Sequence, residues 1–350
     1  MTATSTSLER VLTTLGHREP DRVPLFLLVT LHGAKELGLS IREYYSSAQH
    51  VVEGQFRLRE RYGHDCYTAL FYGAIEMEAW GSETLFFEDG PPNAGPPIVS
   101  HASQIAGLVP PRVAECGRLQ QVLEAIAGLR ERAAGEVPVI GVAMSPYSVP
   151  VMQLGFEHYL DWQIEAPDAI EHLWRINEEF SVEWANAQLR AGATAICYFD
   201  PLASATMTDP QVYRRTGWPI ARRTLARIAG PAVIHLASGR CLPVIDDLAR
   251  TGIAAVGVSA LEDLSAVKRA CAGRLSVIGN LNGIEMRRWT PAEAETAVKE
   301  AIRKAAPGGG FILSDNHGEI PWQVADSTLM AISEAVRRWG EYPLRQFHGE

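Results

Sequence analysis

The sequence contains no run of eighteen apolar residues, so nothing in it reads as a membrane-spanning helix. Positive charge is in deficit: 32 Lys and Arg face 41 Asp and Glu, a net charge of −9 spread along the chain. A nucleic-acid binder would show a basic face, and none is visible. Cysteine is scarce and odd in number, five residues without a CxxC spacing, which excludes a disulfide framework and fits a reducing cytoplasm. The first ten residues lack the basic-then-apolar layout of a secretion signal. Three nucleophile, metal or phosphate signatures are also missing: there is no G-x-S-x-G, no H-E-x-x-H and no P-loop. No internal repeat, low-complexity tract or linker divides the 350 residues, so one domain spanning 1–350 is expected.

What is present is alternation. Short apolar runs occur at 24–29, 66–72, 137–144, 193–200, 232–237, 254–259, 275–280 and 310–313. Stretches with helical apolar spacing lie between or after them, at 41–62, 118–134, 167–190, 242–250, 263–272, 291–306 and 323–339. Nearly continuous apolar strands separated by helices indicate a parallel sheet covered on its outer face. Eight such units match the size of an α/β (β/α)8 TIM barrel carrying insertions. A doubly wound open sheet shows the same alternation, but it would place a Gly-rich loop after an early strand, and neither Val29 nor Tyr72 is followed by one. The segment 83–111 breaks the pattern with Pro91-Pro92, Pro96-Pro97 and Pro110-Pro111. Proline at that density stops helices and central strands. It is expected to be an insertion between the second strand and its helix, with a short hairpin, lying over the barrel mouth.

A barrel builds its site at the C-terminal ends of its strands. Those positions carry Thr30 and His32; Tyr72, Glu76 and Glu78; Ser145 and Tyr147; Asp200 and Ser204; His235, Ser238, Arg240 and Cys241; Glu262; Asn280 and Asn282; and Ser314, Asp315, Asn316, His317 and Glu319. His235 stands out because it sits inside an apolar strand, where an imidazole costs free energy unless it has a partner. A satisfied structural histidine is the alternative there. His317 is the one member of the 315–318 turn that turn chemistry does not require. Asp200 could equally cap a turn. Glu76 and Glu78, two apart, point different ways in either regular structure, so at most one enters a shared site.

These residues resemble the uroporphyrinogen decarboxylase superfamily, especially its branch near the methylcobalamin:coenzyme M methyltransferases. The resemblance runs through Arg10-Val-Leu, Arg18-Glu-Pro-Asp-Arg-Val-Pro24, Glu76-Met-Glu-Ala-Trp-Gly81, Gly192-Ala-Thr-Ala with Asp200-Pro201, Gly279-Asn280, Gly308-Gly-Gly-Phe-Ile-Leu-Ser314 and Glu319-Ile-Pro321. It implies a (β/α)8 barrel and, for the methyltransferases, zinc held by His-x-Cys on one strand and a Cys after the last. His235 matches the first ligand, whereas Ala237 and His317 stand where the two cysteines would be. The expectation is therefore a metal set of His235, His317 and Glu76 holding zinc or another divalent cation, with Cys241 as a candidate substitute.

On this reading Glu76, Asp200, His235 and His317 are catalytic, and Tyr72, Tyr147, Asn280 and Ser314 bind a small-molecule substrate. A corrinoid would arrive on a separate carrier protein. Porphyrinogen decarboxylation is disfavoured, because Thr-Leu-His-Gly replaces the decarboxylases' N-terminal Arg motif and Glu76 replaces their Asp. A metal-free decarboxylase of a smaller acid and a non-catalytic ligand-binding barrel are the alternatives.

Overall fold

The computed structural model describes residues 5–344. Its centre is a curled, all-parallel sheet of seven strands: β1 (Tyr67–Thr68), β4 (Val139–Met144), β5 (Ala195–Phe199), β6 (Ala232–His235), β7 (Ala255–Gly257), β8 (Ser276–Leu281) and β9 (Phe311–Asp315), adjacent in that order. β2 (Thr84–Leu85) and β3 (Asn93–Ala94) form a separate antiparallel hairpin inside the proline-rich segment. Strands β4 to β7 fall within the runs read from the sequence, and β8 and β9 extend past theirs by one and two residues. Their outward side chains, such as Val139, Ile196, Tyr198 and Ile234, are buried against helices.

The segment 24–29 is not a regular strand. Leu25 makes a single parallel bridge to Leu313 of β9, with Phe26 N–H donating to Leu313 and Leu313 N–H donating to Pro24. On its other side Asp65 N–H donates to Leu25, just before β1. The segment thus lies between the two edge strands of the sheet. Helix Ser7–Leu15 starts with a capping box of Thr6 and Glu9. It packs Val11 and Leu15 against the inner faces of Ile278 and Ile312.

Helices cover the outer face much as their spacing predicts, including Gly117–Ala133, Pro167–Ala191, Leu264–Cys271, Pro291–Ala305 and Asp326–Trp339. The stretch 41–62 is two helices, Ile41–Tyr44 and Ala48–Tyr62, because Ser47 caps the second by accepting from Gln49 N–H. No described helix is long and apolar enough to cross a membrane.

The sheet opens between β1 and β4. Their ladder covers only Tyr67 opposite Val139 and Thr68 opposite Ile140, after which the chain leaves β4's edge. Two side chains take over that edge. Gln188 accepts from Val142 N–H (2.9 Å) and donates to Val142 C=O (2.8 Å), and Glu76 accepts from Met144 N–H (2.8 Å). Gly141 makes room for this, since a Cβ there would stand 2.6 Å from the Gln188 amide oxygen.

Candidate functional site

A cavity of about 420 Å³ lies within the curl of the sheet and reaches its C-terminal edge. Its polar wall includes Tyr72, Glu76, His235, His317 and Glu319. Four of the sequence-predicted residues are therefore brought to one space. Asp200, Tyr147, Asn280 and Ser314 are outside its wall. Asp200 is buried, accepting from the Ser148 hydroxyl (2.7 Å), and burial pushes its carboxyl up to about 6. The Tyr147 hydroxyl accepts from Thr216 (3.1 Å), and the Asn280 amide donates to Ser259 C=O (2.9 Å). Ser314 has a buried hydroxyl without a protein partner.

His235 closes β6. Its ring stacks on Phe199 (centroids 5.4 Å apart) and fills the space above Gly257, where a Cβ would fall 2.4 Å from Cδ2. Nδ1 accepts the N–H of Ala237 (3.1 Å), so the neutral ring carries its proton on Nε2. That Nε2–H is buried and has no partner in the protein. Burial, helped by His317, pushes the imidazole down to about 4. Ala237 and Ser238 both take left-handed φ, 45° and 70°, a conformation that L side chains adopt at a cost. Ser238 N–H then donates to Asn316 C=O (2.7 Å), joining the loop after β6 to the one after β9.

His317 has the opposite tautomer. The Asn316 side-chain oxygen accepts Gly283 N–H (3.2 Å), which fixes it as an oxygen. It lies 2.7 Å from His317 Nδ1, so that nitrogen must carry the proton and Nε2 keeps its lone pair. Asp315 holds the turn by accepting from the N–H groups of His317 (2.7 Å) and Gly318 (2.9 Å). Half-burial lowers the His317 pKa below the ordinary imidazole value, so this ring too is neutral at pH 7.

The carboxyls are also shifted toward neutrality. Burial pushes Glu76 up to about 8 against the Met144 N–H bond and the nearby Trp184 indole, and its Oε2 is buried without a well-aligned hydrogen bond. Glu319 accepts from the Thr30 hydroxyl and is pushed up to about 8 by burial and by Asp315. Glu78 is separated from Glu76: it accepts from the hydroxyls of Tyr72 and Thr84 and pairs with Arg118 at 3.4 Å.

The expected zinc set does not fit this arrangement. Among the described residues no group of three or more His, Cys, Asp or Glu side chains is placed to hold a metal ion. A neutral imidazole bound to metal through Nε2 carries its proton on Nδ1, where the Ala237 N–H already points. Glu76 is committed to the β4 edge. Burial, reinforced by the neighbouring Glu262, pushes the Cys241 thiol well up and keeps it protonated.

Sequence comparison agrees with the geometry about ancestry. The family described as Uroporphyrinogen decarboxylase (URO-D) matches residues 6–339. The chain belongs to this family. Among curated members of the uroporphyrinogen decarboxylase family and its relatives, it is 26% identical over 315 residues to the methylcobamide:CoM methyltransferase of Methanosarcina barkeri, covering 86% of this chain and 91% of that one. It is 25% identical over 361 residues to the uroporphyrinogen decarboxylase of Xylella fastidiosa, covering 94% and 98%. Among solved structures, a methyltransferase from Methanosarcina mazei superposes with a TM-score of 0.86 at 22% identity, covering 95% of this chain and 99% of the other. That likeness shows a shared fold. Members of the uroporphyrinogen decarboxylase family are thus both methyltransferases and decarboxylases, and the site chemistry must choose between them.

Gln188 was not visible as a site residue in the sequence. It lies in the last turn of helix Pro167–Ala191 between Ala187 and Leu189, and only the gap in the sheet gives it a role.

Proposed function

We propose that this chain is a methyltransferase-like enzyme that activates a protic small-molecule acceptor with two neutral imidazoles, in place of a metal-bound thiolate. The reading rests on the opposite tautomers of His235 and His317 at the wall of one cavity. His317 Nε2 is positioned to take the proton from an acceptor X–H, while His235 Nε2–H donates to X and orients its remaining lone pair. The X–C bond then forms with the methyl carbon as the donor's bond to that carbon breaks, and the donor keeps the electron pair. The name of the Methanosarcina barkeri relative supports a methylated corrinoid as donor. The cavity is of small-molecule size, so the corrinoid would be presented by a separate carrier protein. The same reading takes the segment 24–29 as the eighth stave of a closed (β/α)8 barrel and residues 1–350 as one domain. The proline-rich segment is then an insertion that shields the mouth, with Pro91 and Pro92 on the cavity wall.

Methyl transfer from methylcobalamin to a panel of thiols and phenols, followed by NMR after exhaustive chelation, tests this. Transfer should survive chelation, and His317→Ala should lower kcat/KM by roughly 10²–10⁴, the usual worth of a general base. Loss of activity on chelation with recovery on adding zinc would overturn it.

A second reading, metal-free decarboxylation of a small acid, is favoured by one observation: Glu76 and Glu319 both retain protons near pH 7 and could protonate a carbanion. Release of labelled carbon dioxide without methyl transfer would select it.

A further inference from the structure

The inner faces of β4, β5 and β6 are less buried than their outer faces. Ile140, Val142, Ala195, Cys197 and Val233 are only partly buried, while the outward Ile196 and Tyr198 are fully buried. A parallel sheet closed on itself normally fills its interior with layers of bulky branched side chains. Here Ala195 and Cys197 occupy two inner positions of β5, and the space they leave extends down to Val11 and Leu15 of the first helix. The cavity is therefore deep and mostly apolar, with its phenol, carboxyl and imidazole side chains, Tyr72, Glu76, His235, His317 and Glu319, all following or ending strands at the C-terminal edge.

No Lys or Arg belongs to that wall among the described residues. An anion entering it would lose its hydration and meet no countercharge, which strongly disfavours its binding. The buried wall atoms that lack a well-aligned hydrogen bond, His235 Nε2, Glu76 Oε2, Thr68 Oγ1 and Trp184 Nε1, all belong to neutral hydrogen-bonding groups. We infer that the substrate of this site is an uncharged molecule with an apolar, ring-sized body and one protic head group. The head would sit between His235 and His317, and the body would lie along Ala195 and Cys197. This rests on the proposed function for the head group, whereas the shape and charge of the body are argued from the cavity alone.

The test compares two probes with the same ring system, 2-naphthol and naphthalene-2-sulfonate, titrated into the full-length protein by calorimetry. The naphthol should bind saturably and the sulfonate at least tenfold more weakly. Ala195→Phe and Cys197→Leu, which fill the body of the cavity, should each weaken naphthol binding tenfold or more while the far-ultraviolet circular dichroism is unchanged. If one variant fails to fold, the other carries the comparison, and the probe pair needs neither. Equal or tighter sulfonate binding overturns the inference, as does wild-type naphthol affinity in a folded, cavity-filled variant. The wild-type protein separates this from the functional reading: naphthol binding without methyl transfer condemns only the function, and methyl transfer without saturable naphthol binding condemns only the inference.

Discussion

At the residue scale, what matters is where protons rest. Glu76 sits at the broken edge of the sheet with one oxygen on Met144 N–H and the other buried near the Trp184 indole without a well-aligned hydrogen bond. Its folded pKa, about 8, lies above the 4.5 of an ordinary Glu. Between those values the folded protein binds more protons than the unfolded chain, so this group's contribution to stability falls as pH rises through that window. Glu319, also raised to about 8, acts in the same direction. Glu76→Gln should therefore flatten the decline in denaturation midpoint between about pH 5 and pH 8, measured by urea unfolding at several pH values. An unchanged slope would show that Glu76 is ionised in the folded state. His235 has the opposite sign: its folded value, about 4, lies below the ordinary 6.5, so its contribution is lost as pH falls from 6.5 toward 4. The sequence singled out His235 because an imidazole inside Ala-Val-Ile-His-Leu-Ala needs a reason. The tautomers were not legible: that of His235 depends on a backbone N–H two residues along a left-handed turn, and that of His317 on the side-chain oxygen of the adjacent Asn316, itself fixed by Gly283 N–H.

At the element scale, the strands β4 to β9 were readable because each is an apolar run paired on both sides or close to it. The first two runs were overread for a physical reason. Segment 24–29 carries the same apolar signal yet forms only a bridge, with Pro24 offering no N–H for a ladder. The run 66–72 shrinks to Tyr67–Thr68 because the chain then leaves β4 to place Glu76. A pattern of apolar residues reports burial, and burial here continues after strand pairing stops. Gln188 replaces the missing strand at Val142 with one accepted and one donated bond. Gln188→Ala leaves a buried N–H and C=O without partners and should cost about 1–3 kcal/mol in urea unfolding. Gln188→Glu keeps the acceptor for the N–H when ionised but loses the donor to the carbonyl. It should fall between wild type and Ala at neutral pH. A Gln188→Ala variant as stable as wild type would mean that water satisfies the β4 edge equally well.

At the scale of the whole molecule, the question is what ties the chain's beginning to the sheet. Asp65 is fully buried and accepts five hydrogen bonds from three parts of the chain. Ser7 (2.8 Å) and Arg10 (2.7 Å) reach it from the first helix. Arg22 reaches it with two nitrogens (2.7 and 3.0 Å), and Leu25 donates its backbone N–H (2.9 Å). The resemblance passes through Arg10 and Arg22, but spacing alone could not reveal that both converge on one carboxylate 43 or more residues away. Removing one partner from a buried ion network is more costly than never having built it, because the remaining charges stay buried without compensation. Asp65→Asn, which turns one acceptor oxygen into a donor facing other donors, should lower the unfolding free energy by roughly 3–5 kcal/mol. Replacing the set together, Asp65→Leu with Arg10→Met and Arg22→Met, removes the buried charges, leaves only the partly exposed Asp21 that pairs with Arg10, and should recover part of that loss. The comparison by urea unfolding separates two accounts of the junction. If the triple variant is no more stable than Asp65→Asn, the network's hydrogen bonds to Leu25 and Ser7, rather than charge compensation, hold the first segment between β9 and β1.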